Sequence, residues 1–236
     1  SKVANDFDVP IVEDCCEAVG AKYGGGCLGR SSVITVHSYD YGKNITTGEG
    51  GAILTNNEQL YRAVRAIHDH GHSYEKPFDR GNDPISTAGF NFRMTELSGA
   101  VGLAQLKKLD KILDMNRKRY RVLLDCFSAH GLNAFVRPVP VGAEPSYDTF
   151  IFQCTSKQSR MAVVELLNQS IGCKNLPGAM VWHCSYFWKH LLDKDQMPAG
   201  LLAKEILSER VAVPILIKKP ISFYRDLAGQ IISKIS

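Results

Sequence analysis

No stretch of about eighteen apolar residues occurs in the 236-residue sequence, so none of it reads as a membrane-spanning helix. There is no dense charge of one sign either. Lys and Arg number 28 against 24 Asp and Glu, and the surplus of +4 is spread along the chain. The densest basic cluster, Arg117-Lys118-Arg119 with Arg121, falls on an expected helix and reads as a solvated face rather than a nucleic-acid footprint. Neither membrane nor nucleic acid is therefore an expected partner. The seven cysteines, an odd number with Cys15 and Cys16 adjacent, have neither a metal-ligand spacing nor a disulfide framework, so a reducing, cytoplasmic compartment is expected. His68, His70 and His72 step by two, cannot converge on one helix face and have no acidic ligand placed to join them, so no metal site is expected. Gly24-Gly25-Gly26 and Gly29 lack the Walker spacing and read as turn geometry between strands. The first eight residues have no apolar core and no cleavage pattern, so they do not read as a signal peptide.

What is there is organised around Lys43. The β-branched run Val33-Ile34-Thr35-Val36 reads as a buried strand, after which come His37-Ser38-Tyr39-Asp40-Tyr41-Gly42-Lys43, three glycines at 48, 50 and 51, and a second apolar run, Ala52-Ile53-Leu54-Thr55. α/β sheets keep their ligands where such strands end. An arbitrary lysine in a glycine-rich loop is a solvated surface charge. An amine held on a tight loop between buried strands is instead pushed by desolvation towards its neutral, nucleophilic form and can form a Schiff base. Asp14 favours the second reading, because Val9-Pro10-Ile11-Val12-Glu13-Asp14 reads as another short buried strand ending in an acid. If the two strands are neighbours, Asp14 and Lys43 project over one sheet edge. Pyridoxal phosphate needs that pair: an amine for its aldehyde and a carboxylate for its ring nitrogen. Ser38, at the end of its strand, would offer a hydroxyl to the phosphate.

Four stretches carry a family resemblance in order along the chain: Glu13-Asp14-Cys15-Cys16-Glu17-Ala18, Ser38 to Lys43, Thr46-Thr47-Gly48-Glu49-Gly50-Gly51, and Gly89-Phe90-Asn91-Phe92-Arg93-Met94-Thr95-Glu96-Leu97. Together they resemble the successive motifs of the DegT/DnrJ/EryC1/StrS sugar aminotransferases, closely over residues 9 to 125 and loosely beyond. The resemblance implies an α/β chain of pyridoxal-phosphate fold type I, aspartate aminotransferase-like, with residues 1–115 as the C-terminal part of the large domain and 116–236 as a small α+β domain. It implies a ping-pong transamination in which Lys43 holds the cofactor as a Schiff base, an amino donor such as glutamate supplies nitrogen, and a keto-sugar or nucleotide-linked keto-sugar accepts it. A related dehydratase branch has histidine in place of this lysine, so Lys43 argues for amino transfer. Asp14, Glu17, Ser38 and Lys43 are the implied cofactor contacts, and Asn91 is implied to reach the cofactor phosphate of the other subunit in a homodimer. Glu17 stands where the family usually has Gln or His beside the ring hydroxyl, and a carboxylate there would repel a phenolate unless one of them is protonated. Arg93 reads either as a phosphate or substrate contact or as a structural ion pair. Family members have on the order of a hundred residues or more before the Asp strand. The chain is therefore expected to be a fragment, or to be completed by a second polypeptide, or not to turn over alone.

The remaining pattern is coarser. Residues 21–32 read as a hairpin or loop, Asn56 to Gln59 as a capping box opening a covering helix, and residues 73–88 as a long exposed loop. A helical stripe from Thr95 to about His130 is too long for one ordinary helix and is expected to bend near Met115-Asn116. Asn133 to Val141, Tyr147 to Cys154 and Val211 to Ile217 read as strands, with Ser159 capping a helix that Gly172 stops. Trp182-His183 and Trp188-Lys189-His190 loosely resemble members acting on acidic keto-sugars; such aromatics read either as core or as a substrate platform.

Overall fold

Ile34, Thr35 and Val36 do form a strand, and it lies in the middle of a sheet where both of its hydrogen-bonding edges are used. The structure, a computed structural model, describes residues 2–84, 87–193 and 201–235. In chain order the first elements are α1 (Lys2–Asp6), β1 (Val12–Asp14), β2 (Lys22–Tyr23), β3 (Gly26–Cys27), β4 (Ile34–Ser38), β5 (Gly51–Leu54), α2 (Glu58–His68) and α3 (Glu96–Leu106). β1 runs parallel to β4 with Asp14 opposite Val36, and β5 runs antiparallel on the other side with Gly51 opposite Ser38. The expectation of buried flanking strands is corrected: Val12 is 60% exposed and Leu54 54%. They sit on the two outer strands, and among the described residues no further strand covers those edges.

Thr35 is buried and donates its hydroxyl to Gly29 O at 2.8 Å. Gly29 has φ +87°, and a Cβ there would stand 2.5 Å from the Thr35 side chain, so only glycine lets this loop close on the sheet. The expected hairpin is present as β2–β3, with Gly24 and Gly25 both at positive φ, the geometry that suits a two-residue turn between twisted strands. Its other edge takes β6 (Ala143–Glu144), a pairing from far along the chain.

Two local corrections concern the helices of this part. Asn57, not Asn56, caps α2, its side chain accepting from the N–H groups of Gln59 and Leu60. The long helical stripe breaks at Lys107-Lys108 rather than at 115–116, giving α3 and then α4 (Leu109–Ala129). The break comes where Lys108 N–H bonds Gln105 O at 2.9 Å, an i→i−3 turn that tightens the helix end, whereas Asn116 is fully buried within α4. A Cβ on Gly102 would meet Thr47 at 3.1 Å, so glycine lets α3 lie against the Lys43 loop.

By its contacts the chain divides into two units, residues up to Lys111 with Val141–Ser146, and Ile112–Pro140 with Tyr147 onward. The second contains most of α4, β7 (Thr149–Gln153), α5 (Lys157–Asn168), α6 (Met180–His183), α7 (Leu201–Ser208), β8 (Arg210–Pro214) and α8 (Ile221–Ile235). β7 and β8 pair antiparallel, and alternate residues of each strand face one aromatic core. Phe127 and Phe150 there are fully buried with ring centroids 5.2 Å apart at 67°, an edge-on arrangement of the kind aromatic pairs favour. Tyr224, Leu227, Ala228, Ile231, Ile232 and Ile235 recur at i, i+3, i+4, i+7 and put α8 on this core, a helix that the strand-then-helix reading omits. Asn133–Phe135 is a 3₁₀ turn rather than a strand, leaving one bridge from Val136 to Phe152. Ser156 caps α5, and Ser159 closes the reciprocal box from the third helical position. The basic cluster on α4 is not a uniform solvated face. Arg119 is buried, and its guanidinium donates to the carbonyls of Met115, Ile217 and Lys219 at 2.8–2.9 Å.

Candidate active site

Because β1 and β4 are parallel neighbours, their carboxyl ends open at the same edge, and the first polar residues after each strand meet there. Cys15 N–H bonds Val36 O at 2.9 Å, extending the pairing by one residue and turning the chain at Asp14. The Asp14 carboxylate accepts the Cys16 N–H at 2.9 Å, an i to i+2 turn of the kind Asp favours. The Cys16 thiol first, then its N–H, hold the Asp14 carboxyl below the usual range against an opposing desolvation, and the charge of Lys43 adds to them. In return burial, followed by this carboxylate, pushes the Cys16 thiol up to about 11. Sequence reading missed Cys16, although its spacing two residues after an Asp was the signal.

Lys43 sits in a loop tied at both ends. Tyr39 N–H bonds Gly50 O at 2.8 Å, Thr47 N–H bonds Tyr39 O at 3.0 Å, and Lys43 N–H bonds Asp40 O at 3.1 Å. Ile45 is 1% exposed and anchors the middle of the loop, while Gly48 and Gly50 take positive φ. The Lys43 side chain is only 14% exposed, and its Nζ donates to Glu17 Oε1 in an ion pair. The expected desolvated amine is therefore found paired with a carboxylate. Ser38 ends β4 as expected, its hydroxyl oxygen accepting the Asp40 N–H at 3.3 Å.

Asp14, Glu17 and Lys43 are thus brought together. Arg93 is tied elsewhere: its guanidinium pairs with Asp69, whose carboxylate also holds Arg80 Nη2 at 2.8 Å and the Tyr74 hydroxyl. Of the two readings open for Arg93, the ion pair is the one present. Asn91 is exposed, its backbone bridged to Asp69 and its neighbours Phe90 and Phe92 stacked 5.2 Å apart. The 73–88 loop, of which residues 85 and 86 lie outside the described residues, is organised by two buried acids that periodicity does not reveal. Burial pushes the Asp83 carboxyl up, but the Tyr74 N–H, the His72 ring and the Gly81 N–H outweigh it and hold it at about 2. A folded value below the ordinary 3.8 stabilises this loop above about pH 4 and ceases to do so as pH falls towards 2. Hydrogen exchange should therefore find the Tyr74 and Gly81 amides protected at pH 5 and open by pH 2; protection unchanged at pH 2 would mean the carboxylate is not what orders the loop.

Residues 1–217 match the DegT/DnrJ/EryC1/StrS aminotransferase family. The chain is a member of that family. It is 32% identical over 142 residues to the GDP-4-keto-6-deoxy-D-mannose 3-dehydratase of Yersinia pseudotuberculosis, covering 55% of this chain and 36% of that protein. It is 40% identical over 112 residues to the GDP-perosamine synthase of Caulobacter vibrioides, covering 48% and 29%. Among solved structures, an aminotransferase from Psychrobacter cryohalolentis superposes with TM-score 0.82 at 23% identity, over 99% of this chain and 64% of that one. The Escherichia coli GDP-4-keto-6-deoxy-D-mannose-3-dehydratase with bound hydrated PLP superposes with TM-score 0.77 at 25% identity, over 98% and 62%. The fold is that of type I pyridoxal-phosphate aminotransferases, and the chain spans about a third of the length of the first of these relatives and under two thirds of the solved chains.

Pyridoxal phosphate is the cofactor of this family, and the donor set present fits it. The fit rests on a covered primary amine paired with Glu17 on the segment that also carries the Asp14 carboxylate, with the Ser38 hydroxyl at the end of the adjoining strand β4.

Proposed function

We propose that the protein of this chain transfers an amino group from an amino acid, with glutamate as the expected donor, to a keto-sugar or nucleotide-linked keto-sugar. The observation that carries this reading is that Lys43, on the loop after β4, pairs through Nζ with Glu17 on the segment after the parallel neighbour β1, three residues beyond Asp14. Bound pyridoxal phosphate supplies an aldehyde that exchanges nitrogen and a ring that stores an electron pair. Lys43 contributes the amine that anchors the aldehyde and, when displaced by the donor, the base that moves the proton. Asp14, kept ionised by Cys16, balances charge on the ring nitrogen. Ser38 and, from the other subunit of a homodimer, Asn91 are assigned to the phosphate. Residues 1–115 are the cofactor-holding part in this reading, and 116–236 a smaller α+β part. The amine at position 43 favours amino transfer over the dehydration named for several relatives.

Dimer formation is supported by α3, which is apolar along its length yet has no buried residue among those described; Leu97 is 77% exposed. The edges of β1 and β5, which no other strand among the described residues pairs, favour a second reading, in which the chain is a truncated or non-catalytic half that binds a partner chain and does not turn over alone. One experiment separates the two. Under the first, purified protein turns yellow with pyridoxal phosphate and, given glutamate, converts a nucleotide-linked keto-sugar to its amino-sugar in preference to simple keto acids. Under the second, no colour develops and no product forms.

A further inference from the structure

The partner of Lys43 is Glu17, on the segment that follows β1. Glu17 is half exposed, but its backbone is fixed: Ser146 Oγ donates to Glu17 O at 3.4 Å, and Cys15, Val19 and Ala21 around it are buried. Lys43 is the reverse, a covered side chain on a pinned loop. The charged and titratable groups facing it are Asp14, Cys16 and Glu17 from the segment after β1 and Asp40 on its own loop. Asp14 accepts the Cys16 N–H, Asp40 uses its carboxylate on the Gly42 N–H, and the Cys16 thiol stays neutral at pH 7. Glu17 is the carboxylate that meets Nζ directly. An ammonium has no lone pair, so it cannot add to an aldehyde while paired.

We propose that Glu17 is a positioning residue that holds Lys43 as a paired ammonium within the site and restrains its reaction until an aldehyde-bearing ligand displaces the pairing. This rests on the reading of Lys43 as the cofactor's amine. The step balances without oxidant or reductant: the pair opens, the ammonium gives one proton to solvent, nitrogen adds to the carbonyl carbon, and one water leaves. When the amine is set free again, Glu17 receives it as an ammonium and keeps it from drifting out of reach.

The test is timed exposure of the 236-residue chain to pyridoxal phosphate, quenched with borohydride, with the Lys43 peptide quantified by mass spectrometry against the exposed Lys107 as internal reference. Glu17→Gln keeps the size of the side chain and removes its charge; it is expected to raise Lys43 labelling at pH 7 by roughly threefold to tenfold, the lower end reflecting the exposure of Glu17. At about pH 11, above the ordinary lysine range, the charge of the pair matters less and the difference between the two rates should shrink. Glu17→Asp, which keeps the charge, should stay within about twofold of the unaltered chain. Equal or slower labelling of the Gln variant at pH 7 overturns the proposal, and so does an acceleration that persists undiminished at pH 11, which would mean wider access rather than released charge. If Lys43 is nowhere labelled ahead of Lys107, the reading of Lys43 as the cofactor's amine fails and this inference falls with it.

Discussion

Lys43→Ala is expected to lower amino transfer by about 10⁴-fold or more, because one side chain is both the covalent anchor and the proton carrier. The loss should be chemical rather than structural. The backbone of the loop is tied by Tyr39, Thr47 and Gly50, and Lys43 contributes to it only its own N–H on Asp40 O. Ile45, which anchors the loop, is untouched. Lys43→Arg is the matching control: it keeps a cation for Glu17 and should be as inactive as alanine, because a guanidinium stays protonated and does not condense with an aldehyde. Single-turnover conversion of glutamate by the cofactor-loaded protein reads this loss directly, with the circular dichroism spectrum unchanged. A rate within about tenfold of the unaltered protein would remove Lys43 from the chemistry.

Asp14→Asn is expected to cost about 10²- to 10³-fold in the same half-reaction, with little change in the affinity for glutamate. The substitution is nearly isosteric, and an amide oxygen can still accept the Cys16 N–H that shapes this turn. What disappears is the negative charge. Cys16 keeps the Asp14 carboxyl below its usual range, so the residue is ionised throughout the neutral range and its contribution should not vary between pH 5 and 8. A loss under about tenfold, or a loss carried by the affinity for glutamate alone, would mean that Asp14 shapes the loop without acting on the ring.

Lys43 and Asp14 were both singled out from residues alone, because each follows a short β-branched run and strand ends are where polar groups of an α/β sheet collect. The hairpin glycines at 24 and 25 were equally plain, since two successive positive φ angles suit that turn. Helix ends were less so. Asn56 and Asn57 are chemically identical caps, and only the path of the backbone chooses between them. The break between α3 and α4 has no glycine or proline to announce it. Arg119 was unreadable for a different reason: its three carbonyl partners include Ile217 and Lys219, about a hundred positions away, and nothing in its neighbours marks it as buried.

By itself the sequence determined which chemical groups are available at the sheet edge and which family they belong to, because strand propensity, glycine turns and motif order are local properties of the chain. Tertiary structure alone decided how the distant groups are paired: Lys43 with Glu17, Arg93 with Asp69. The physical reason is that pairing depends on distance in space and on burial. Both arise from strand register and loop closure over tens of residues, where side chains of like chemistry compete for the same partner and no short-range pattern records the outcome.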